Sequence, residues 1–492
     1  LSDYGETETG QAIIDGELRP VLDSGFPETQ TVLDLLQPFD PPAEPVSSLV
    51  TSADFKSFFA KWKENTSTSP SGKHLGHYKA LLSPALDSDD ELKAAANRII
   101  DTHVTILNIC ATHGSPLERW KRIVSVMIEK KPVNYQLNKL RSIHLFEADY
   151  NWLIGMIFGR RMVHGAEKQN NLNEGQWGSR PGRSAHDALL HKVLSYDVAR
   201  LTRTPLATFD NDAKSCYDRI VMTFALMLCQ KHGVSQSMCM MVAINLLAAE
   251  CSIKTKYGVS SDTCSSTADD PTHGPGQGSR MAPALWLIIC CLLFDAMDKL
   301  CRGAEFCNPK QTASHKQIGD GFVDDVAAFL NFGLAAVLQQ ECGPVELAHG
   351  LQKEARTWER LLYSTGGQLE LSKCLHYLMI FDSKPDGTPT LRKAEDMGTD
   401  LISMTTGTSE TSTEVEHRDC SKAHRTLGLH PAPTGCQLVQ VQELKTKSDR
   451  FAEGLAKAPV SQYQARTAHW MMWLPSMTYC LPCSHMSEKQ LK

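Results

Sequence analysis

The sequence predicts a mixed α/β (α+β) fold, on three observations. Short apolar runs of strand length alternate with longer stretches of helical apolar spacing. Glycine-bearing turns separate the two kinds of segment. Acidic residues stand at the ends of two of the short runs: Asp212 after 206–209, and Asp324 and Asp325 inside the hairpin-like Phe322-Val323-Asp324-Asp325. The 492 residues suffice for several domains or one multi-lobed body.

Composition narrows the class. Hydrophobic content of 42% with 22% charged residues is that of an ordinary globular chain, which argues against a wholly disordered or fibrous protein. The longest apolar run, 281–294, is too short to span a bilayer and is bounded by Gly278 and Asp295, so no membrane association is expected. The chain begins at Leu1 with an acidic stretch and no basic leader, and reads as a fragment without a signal peptide. An intracellular location is expected, with nucleus and cytoplasm both open. Sixteen scattered cysteines, two of them adjacent at Cys290 and Cys291, suit reduced thiols. Cys480-x-x-Cys483-x-His485 has the start of a zinc site but lacks a fourth ligand, and core cysteines are the better reading.

Net charge is −6, yet residues 1–50 alone carry −9, leaving +3 on the remainder. Within it Arg119, Lys121, Arg122, Lys130, Lys131, Lys139 and Arg141 form a basic strip opposed only by Glu129. Such a strip suits phosphate binding, or else is a solvated face.

The elements follow in chain order. Residues 1–50 are acidic, Pro-containing and weakly periodic, a poorly ordered lead-in. Helical spacing holds over 53–62 and 90–110, around a basic loop at 69–79 whose His74 and His77 lack a carboxylate partner. Strands are expected at 123–128 and from 141, then a helix to about Met162. Ser184 caps a helix after a turn at 178–184. A short strand at 206–209 leads to Asp212, with a helix from Ala213 onward. After a loop at 260–277, Pro283 opens a long helix to Leu300. The acidic hairpin spans 316–330, a helix runs 345–363 to Gly366-Gly367, and a strand covers 375–381. A surface insertion at 383–420 and a helical end from Val439 complete the chain.

The chemistry sits in three blocks. Adjacent carboxylates repel and are costly to desolvate unless a cation sits beside them. Asp212, Asp324 and Asp325, joined by a sheet, are what two divalent ions need for nucleotidyl transfer. Tyr217, five residues after Asp212, can pack beside the sugar of a nucleotide and exclude a 2′-hydroxyl; alone it would be a core aromatic. Gly274-Pro275-Gly276-Gln277-Gly278-Ser279 lets backbone approach a substrate closely ahead of a helix.

Over about residues 60–480 these blocks, in this order, resemble the reverse transcriptases, most closely those of the non-LTR (LINE-like) retrotransposons. The resemblance implies a right-hand polymerase: lead-in 1–50, fingers and the start of a ferredoxin-like palm 51–205, palm 206–437, and a partial helical thumb 438–492. It implies that Lys130 and Arg141 contact the incoming triphosphate, and that Gln176-Trp177-Gly178-Ser179-Arg180-Pro181-Gly182-Arg183-Ser184 is a template-side block, with Arg180 and Arg183 as its contacts. Asp212 would be the first metal ligand and Tyr217 the sugar gate. Gly274, Gln277, Gly278 and Ser279 would position nucleotide and template, and Thr426-Leu427-Gly428 would be the primer-grip turn. Departures are Gly276 and Glu129 where proline is common, and Leu371 where asparagine is common.

The implied reaction is addition of a deoxynucleotide to a primer 3′-hydroxyl with two Mg²⁺ ions, or Mn²⁺ in their place. Asp212 and Asp324 would bridge the ions, Asp325 would assist as an outer or transient ligand, and Val323 would touch the substrate. Lys373 would be general acid or a solvated lysine. Implied partners are an RNA template, a DNA or RNA primer and deoxynucleoside triphosphates; the oligomeric state is open. An RNA-dependent RNA polymerase typically carries aspartate at the position of Tyr217, which counts against it. A non-enzymatic descendant that only binds nucleic acid is the reading from another class.

Overall fold

The computed structural model describes residues 26–491 apart from 37–43, 67–68, 131, 134–135, 137–138, 267–273, 309, 311, 333–342, 399–401 and 408. Helices and sheets are mixed, as the sequence predicts. The chain divides into two units, each assembled from discontinuous segments.

The unit formed by 174–214, 294–363 and 368–492 is built on a sheet of four antiparallel strands: β1 (Leu206–Asp212), β2 (Gly319–Phe322), β3 (Asp325–Leu330) and β4 (Leu375–Met379). Their spatial order is β4-β1-β3-β2, with the short strand Glu416–His417 added parallel to the outer edge of β4. Helices intervene between β1 and β2 and again between β3 and β4. Strand β1 reads Leu-Ala-Thr-Phe-Asp-Asn-Asp and is buried almost throughout, so even its polar residues are inside. One face packs Leu206, Ala327, Phe329, Leu375 and Tyr377 against Tyr196 and Ala199 of helix Ala185–Thr202. Ser184 starts that helix with a capping box to Asp187, the cap its sequence predicts. On the other face Trp358, from helix Pro344–Ser364, donates its Nε1–H to Asn211 Oδ1 at 3.0 Å.

The other unit, 1–173, 215–293 and 364–367, carries a second sheet. Strand Arg122–Glu129 pairs antiparallel with Leu140–Leu145 and parallel with Glu250–Thr255. Residues 282–293 of the long helix Ala282–Leu300 belong to this unit; the helix is apolar around its circumference and buried along most of its length.

Several local expectations differ from what is observed. Helix Pro27–Leu36 forms inside the acidic lead-in because Val32, Leu33 and Leu36 bury one stripe; residues 1–25 and 37–43 lie outside the described residues. The basic loop ends early in helix Leu75–Ala80, whose first turn His74 caps by accepting from Gly76 N. The helix towards Met162 is irregular, with a π-helical stretch at Gly155–Met162. After Asp212 the chain makes a 3-10 turn at Cys216–Asp218, and the α-helix begins only at Met222. The region 383–420 is not wholly a surface insertion, since Ile402, Met404, Val415 and Cys420 are buried and Glu416–His417 joins the sheet. No described helix is long and apolar enough to cross a membrane.

Candidate active site

The sequence-predicted residues fall into two groups, one on each unit. In the unit built on β1–β4, the register places Asp212, at the end of β1, directly across from Asp325, at the start of β3. Side chains opposite each other in an antiparallel pair share a face, so the two carboxylates stand side by side. Asp210, two residues upstream, shares that face as well.

Asp324 lies in the two-residue turn that links Phe322 to Asp325. The other turn residue, Val323, has φ +61°, a left-handed conformation costly for a β-branched side chain. A positive φ at the first turn position is where hairpins ordinarily place glycine. The turn is braced by the preceding block. Trp177 N donates to Gly321 O at 2.8 Å and Gly321 N to Gly175 O at 2.7 Å, which lays 175–177 alongside β2. A Cβ on Gly178 would lie 2.5 Å from Val323 N, so only glycine lets this loop pass beneath the turn.

Two lysines and four carboxylates set the local field. Lys373 Nζ donates to Asp212 Oδ1 at 2.9 Å. Partial burial by itself lowers the lysine pKa, but the Asp212 hydrogen bond and charge outweigh it and hold the ammonium above its usual value. Lys192, buried, donates to Asp210 Oδ1 at 2.7 Å. The Asp325 carboxyl is pushed up to about 6, first by burial and then by the Asp324 and Asp212 charges, with Lys192 opposing. A cavity of about 320 Å³ adjoins these groups, lined among others by Asp210, Asp212, Phe322, Asp325, Lys192, Lys373, Arg418 and Leu427. Leu427 and Gly428 have φ of +50° and +87° and form a tight turn between Thr426 and Leu429, tied by Tyr479 Oη–H to Leu427 O at 2.9 Å.

Hard oxygen donors of this kind fit Mg²⁺ or Mn²⁺, and the mutual repulsion that raises Asp325 is relieved by a cation. Among the described residues no cluster of three or more His, Cys, Asp or Glu donors is already gathered at metal-binding distance. Asp212 meanwhile has Lys373 as its counter-charge.

In the other unit the glycine loop wraps Tyr217 and, beside it, His144 and Asp218, which the sequence does not single out. His144 N donates to Gln277 O at 2.6 Å, and Gln277 Nε2 donates to Asp218 Oδ2 at 3.3 Å. Burial raises the Asp218 pKa, against the pull of His144, Gln277 and Lys130. A Cβ on Gly274 (φ +69°) would fall 1.9 Å from Tyr217 O, and one on Gly278 (φ +115°) 2.2 Å from His144 O. These close approaches hold Tyr217, Asp218 and Gln277 in one cluster. Asn151 fastens the loop from the other side, donating to Gly278 O at 3.0 Å and accepting from Arg280 N at 2.8 Å. Ser279 is buried within the loop.

Other calls change. Arg119 leaves the basic strip: its guanidinium is held by the buried Glu147 and Asp149, because two desolvated carboxylates require it. Lys121 pairs with Glu118, while Lys130 and Arg141 are exposed on the strand hairpin. Lys131 lies outside the described residues. Arg180 is buried, donating to Gln176 O and Glu174, and so braces its loop; Arg183 pairs with Glu174 and stacks on Trp177. Cys480 and Cys483 are buried beside Leu189 and Leu429, and His485 pairs with Asp197. The residues missed in the sequence, Asp210, Lys192, His144 and Asn151, stand in unremarkable local patterns. Only the spacing of Asp210 from Asp212, two residues on one strand, carried a signal.

No protein-family model matches the chain, and no curated protein matches it.

Proposed function

We propose that this chain is an RNA-directed DNA polymerase of retroelement type, extending a primer 3′-hydroxyl with deoxynucleotides on an RNA template. The observation that carries the reading is the cross-strand pairing of Asp212 with Asp325 beside the turn that bears Asp324. Two facts add support. The strand order β4-β1-β3-β2 with intervening helices is the ferredoxin-like arrangement expected of a polymerase palm. The glycine loop is moulded around Tyr217 and Asp218 as a nucleotide-positioning loop requires.

Asp212 and Asp324 would hold two divalent ions, with Asp325 assisting. When bound, such ions lower the pKa of the attacking hydroxyl and stabilise the leaving pyrophosphate. The chain's own residues do the rest. Lys130 and Arg141 neutralise triphosphate charge. Tyr217 blocks a 2′-hydroxyl, while Gln277 and the Gly278 backbone orient the nucleotide. Lys373, kept protonated by Asp212, is the proton donor to the departing oxygen. The turn at Leu427 and Gly428 supports the primer end.

The test is extension of oligo(dT) on poly(rA) with dTTP and Mg²⁺ or Mn²⁺. The wild-type chain extends, and Asp324→Asn loses extension while its circular dichroism and melting are those of a folded protein. Extension retained by Asp324→Asn sinks the metal assignment; a folded wild-type chain that never extends leaves the non-catalytic, nucleic-acid-binding reading.

A further inference from the structure

Arg280 follows the glycine loop, and its guanidinium carbon lies 4.6 Å from the ring centroid of Phe58 and 5.3 Å from that of Trp62. Phe58 stands in the last turn of helix Ser52–Lys61 and Trp62 is its C-cap, with ring centroids 5.0 Å apart in an edge-on arrangement. Space for the arginine is made by the irregular helix Gly155–Met162. A Cβ on Gly155 would lie 2.8 Å from Arg280 Cβ and 3.2 Å from its Nε, and one on Gly159 would lie 3.0 Å from Arg280 O. The backbone of Arg280 is fixed in turn by Asn151 Oδ1. Two glycines, a π-helical stretch and an asparagine thus hold one side chain against two aromatic rings.

The result is a cavity of about 460 Å³ with Phe58 and Trp62 as its apolar wall and Lys61, Lys63, Arg160 and Arg280 as its charged wall. Among the described residues no acidic side chain lines it, and none of the four cations forms an ion pair. Four positive charges without a carboxylate partner around a shared space repel one another, and they persist most cheaply where an anion joins them. A guanidinium recognises phosphate oxygens in a planar, two-pronged manner. A partly exposed indole beside it offers a stacking platform for a base. Simple anions use the first feature only; a polynucleotide strand with unpaired bases uses both.

We infer that the Phe58–Trp62–Arg280 cavity binds one phosphodiester of a single-stranded polynucleotide, with the neighbouring base stacked on Trp62. Calling that strand the unpaired template rests on the polymerase reading; the binding itself does not involve the carboxylates. Only Gly278 and Ser279 separate Arg280 from Gln277, so a strand held here lies beside the loop that carries the Gln277 cluster. The site is therefore placed to hold template against the loop that positions nucleotide.

The experiment measures fluorescence anisotropy of a labelled ten-nucleotide single strand on the full chain, with inorganic polyphosphate as a base-free competitor. Arg280→Gln is expected to weaken both ligands about tenfold, and to make the slope of log affinity against log salt shallower by about 0.7 for the lost phosphate contact. Trp62→Ala is expected to weaken the oligonucleotide about tenfold and polyphosphate less than twofold. Trp62→Phe keeps a stacking ring and should retain affinity within about threefold; with the surface variant Arg280→Gln it decides the matter if Trp62→Ala does not fold. Unchanged binding and salt slope in Arg280→Gln overturns the site, as does equal loss of both ligands in a folded Trp62→Ala. Oligonucleotide binding through Arg280 and Trp62 by a chain that extends no primer upholds the site and overturns the polymerase reading instead.

Discussion

Glu354 shows how far a single residue's behaviour departs from its sequence label. It sits at 4% exposure, accepting from Arg302 N at 3.0 Å and Gly303 N at 2.9 Å. Burial pushes its carboxyl up to about 7, against the pull of those two backbone donors. Between about pH 4.5 and 7 the folded chain keeps a proton that the unfolded chain has lost. Folded stability therefore falls as pH rises through that window, by up to about 3 kcal/mol from this group. Glu354→Gln removes the dependence: urea melts at pH 5 and 8 should separate for wild type more than for the variant, and parallel shifts in the two proteins would refute the assignment. Nothing in the helical pattern around Glu354 marks it, because burial of a polar residue is a tertiary fact. Tyr217 is the opposite case, a residue whose interest was legible from its distance to Asp212 and whose backbone is then found packed against Gly274.

At the scale of elements, the acidic hairpin and its brace belong together. The two strands and the turn at Val323 and Asp324 were readable from an apolar–acidic–apolar pattern. The brace was not, since 175–177 joins β2 by a parallel bridge across more than a hundred residues of chain. Gly178→Ala places a methyl group 2.5 Å from Val323 N. The turn must then shift, at a cost of about 1–3 kcal/mol in stability. A displacement near 1 Å costs about a hundredfold in rate where geometry governs catalysis. Primer extension and a urea melt read both effects, and a variant matching wild type in each would show that the loop does not hold the turn. The region 383–420 failed as a simple insertion for a related reason. Its Ser and Thr content looks like loop, but tertiary packing buries Met404 and Val415 and recruits Glu416–His417 to the sheet.

For the whole molecule, net charge is a poor guide. The overall −6 contains a lead-in of −9, while Lys130, Arg141 and the four cations of the Arg280 cavity lie elsewhere in the chain. Binding of a primer–template should therefore fall steeply with salt despite the acidic total, by about tenfold between 50 and 200 mM if two duplex phosphates are neutralised. Titration by anisotropy at four salt concentrations measures this, and a flat response would deny the basic residues a role in phosphate contact. The basic strip read along the sequence predicts a similar slope for partly wrong reasons. Arg119 contributes nothing to it, being consumed by Glu147 and Asp149, whereas Arg160 and Arg280 were not part of the strip.

By itself the sequence determined the mixed class, the short acidic-ended strands, the acidic turn and the glycine loop. These are local properties: strand and helix periodicities, turn chemistry and the spacing of carboxylates are all written within a dozen residues. Only the tertiary structure decided which carboxylate stands across from which, that Lys373 occupies Asp212, and that Arg180 and Arg119 are turned inward. It alone decided that Phe58, Arg160 and Arg280 share one cavity. The physical reason is the same throughout. Desolvation and close packing act between side chains that are neighbours in space, and a charge acquires its role from what surrounds it once water has been removed.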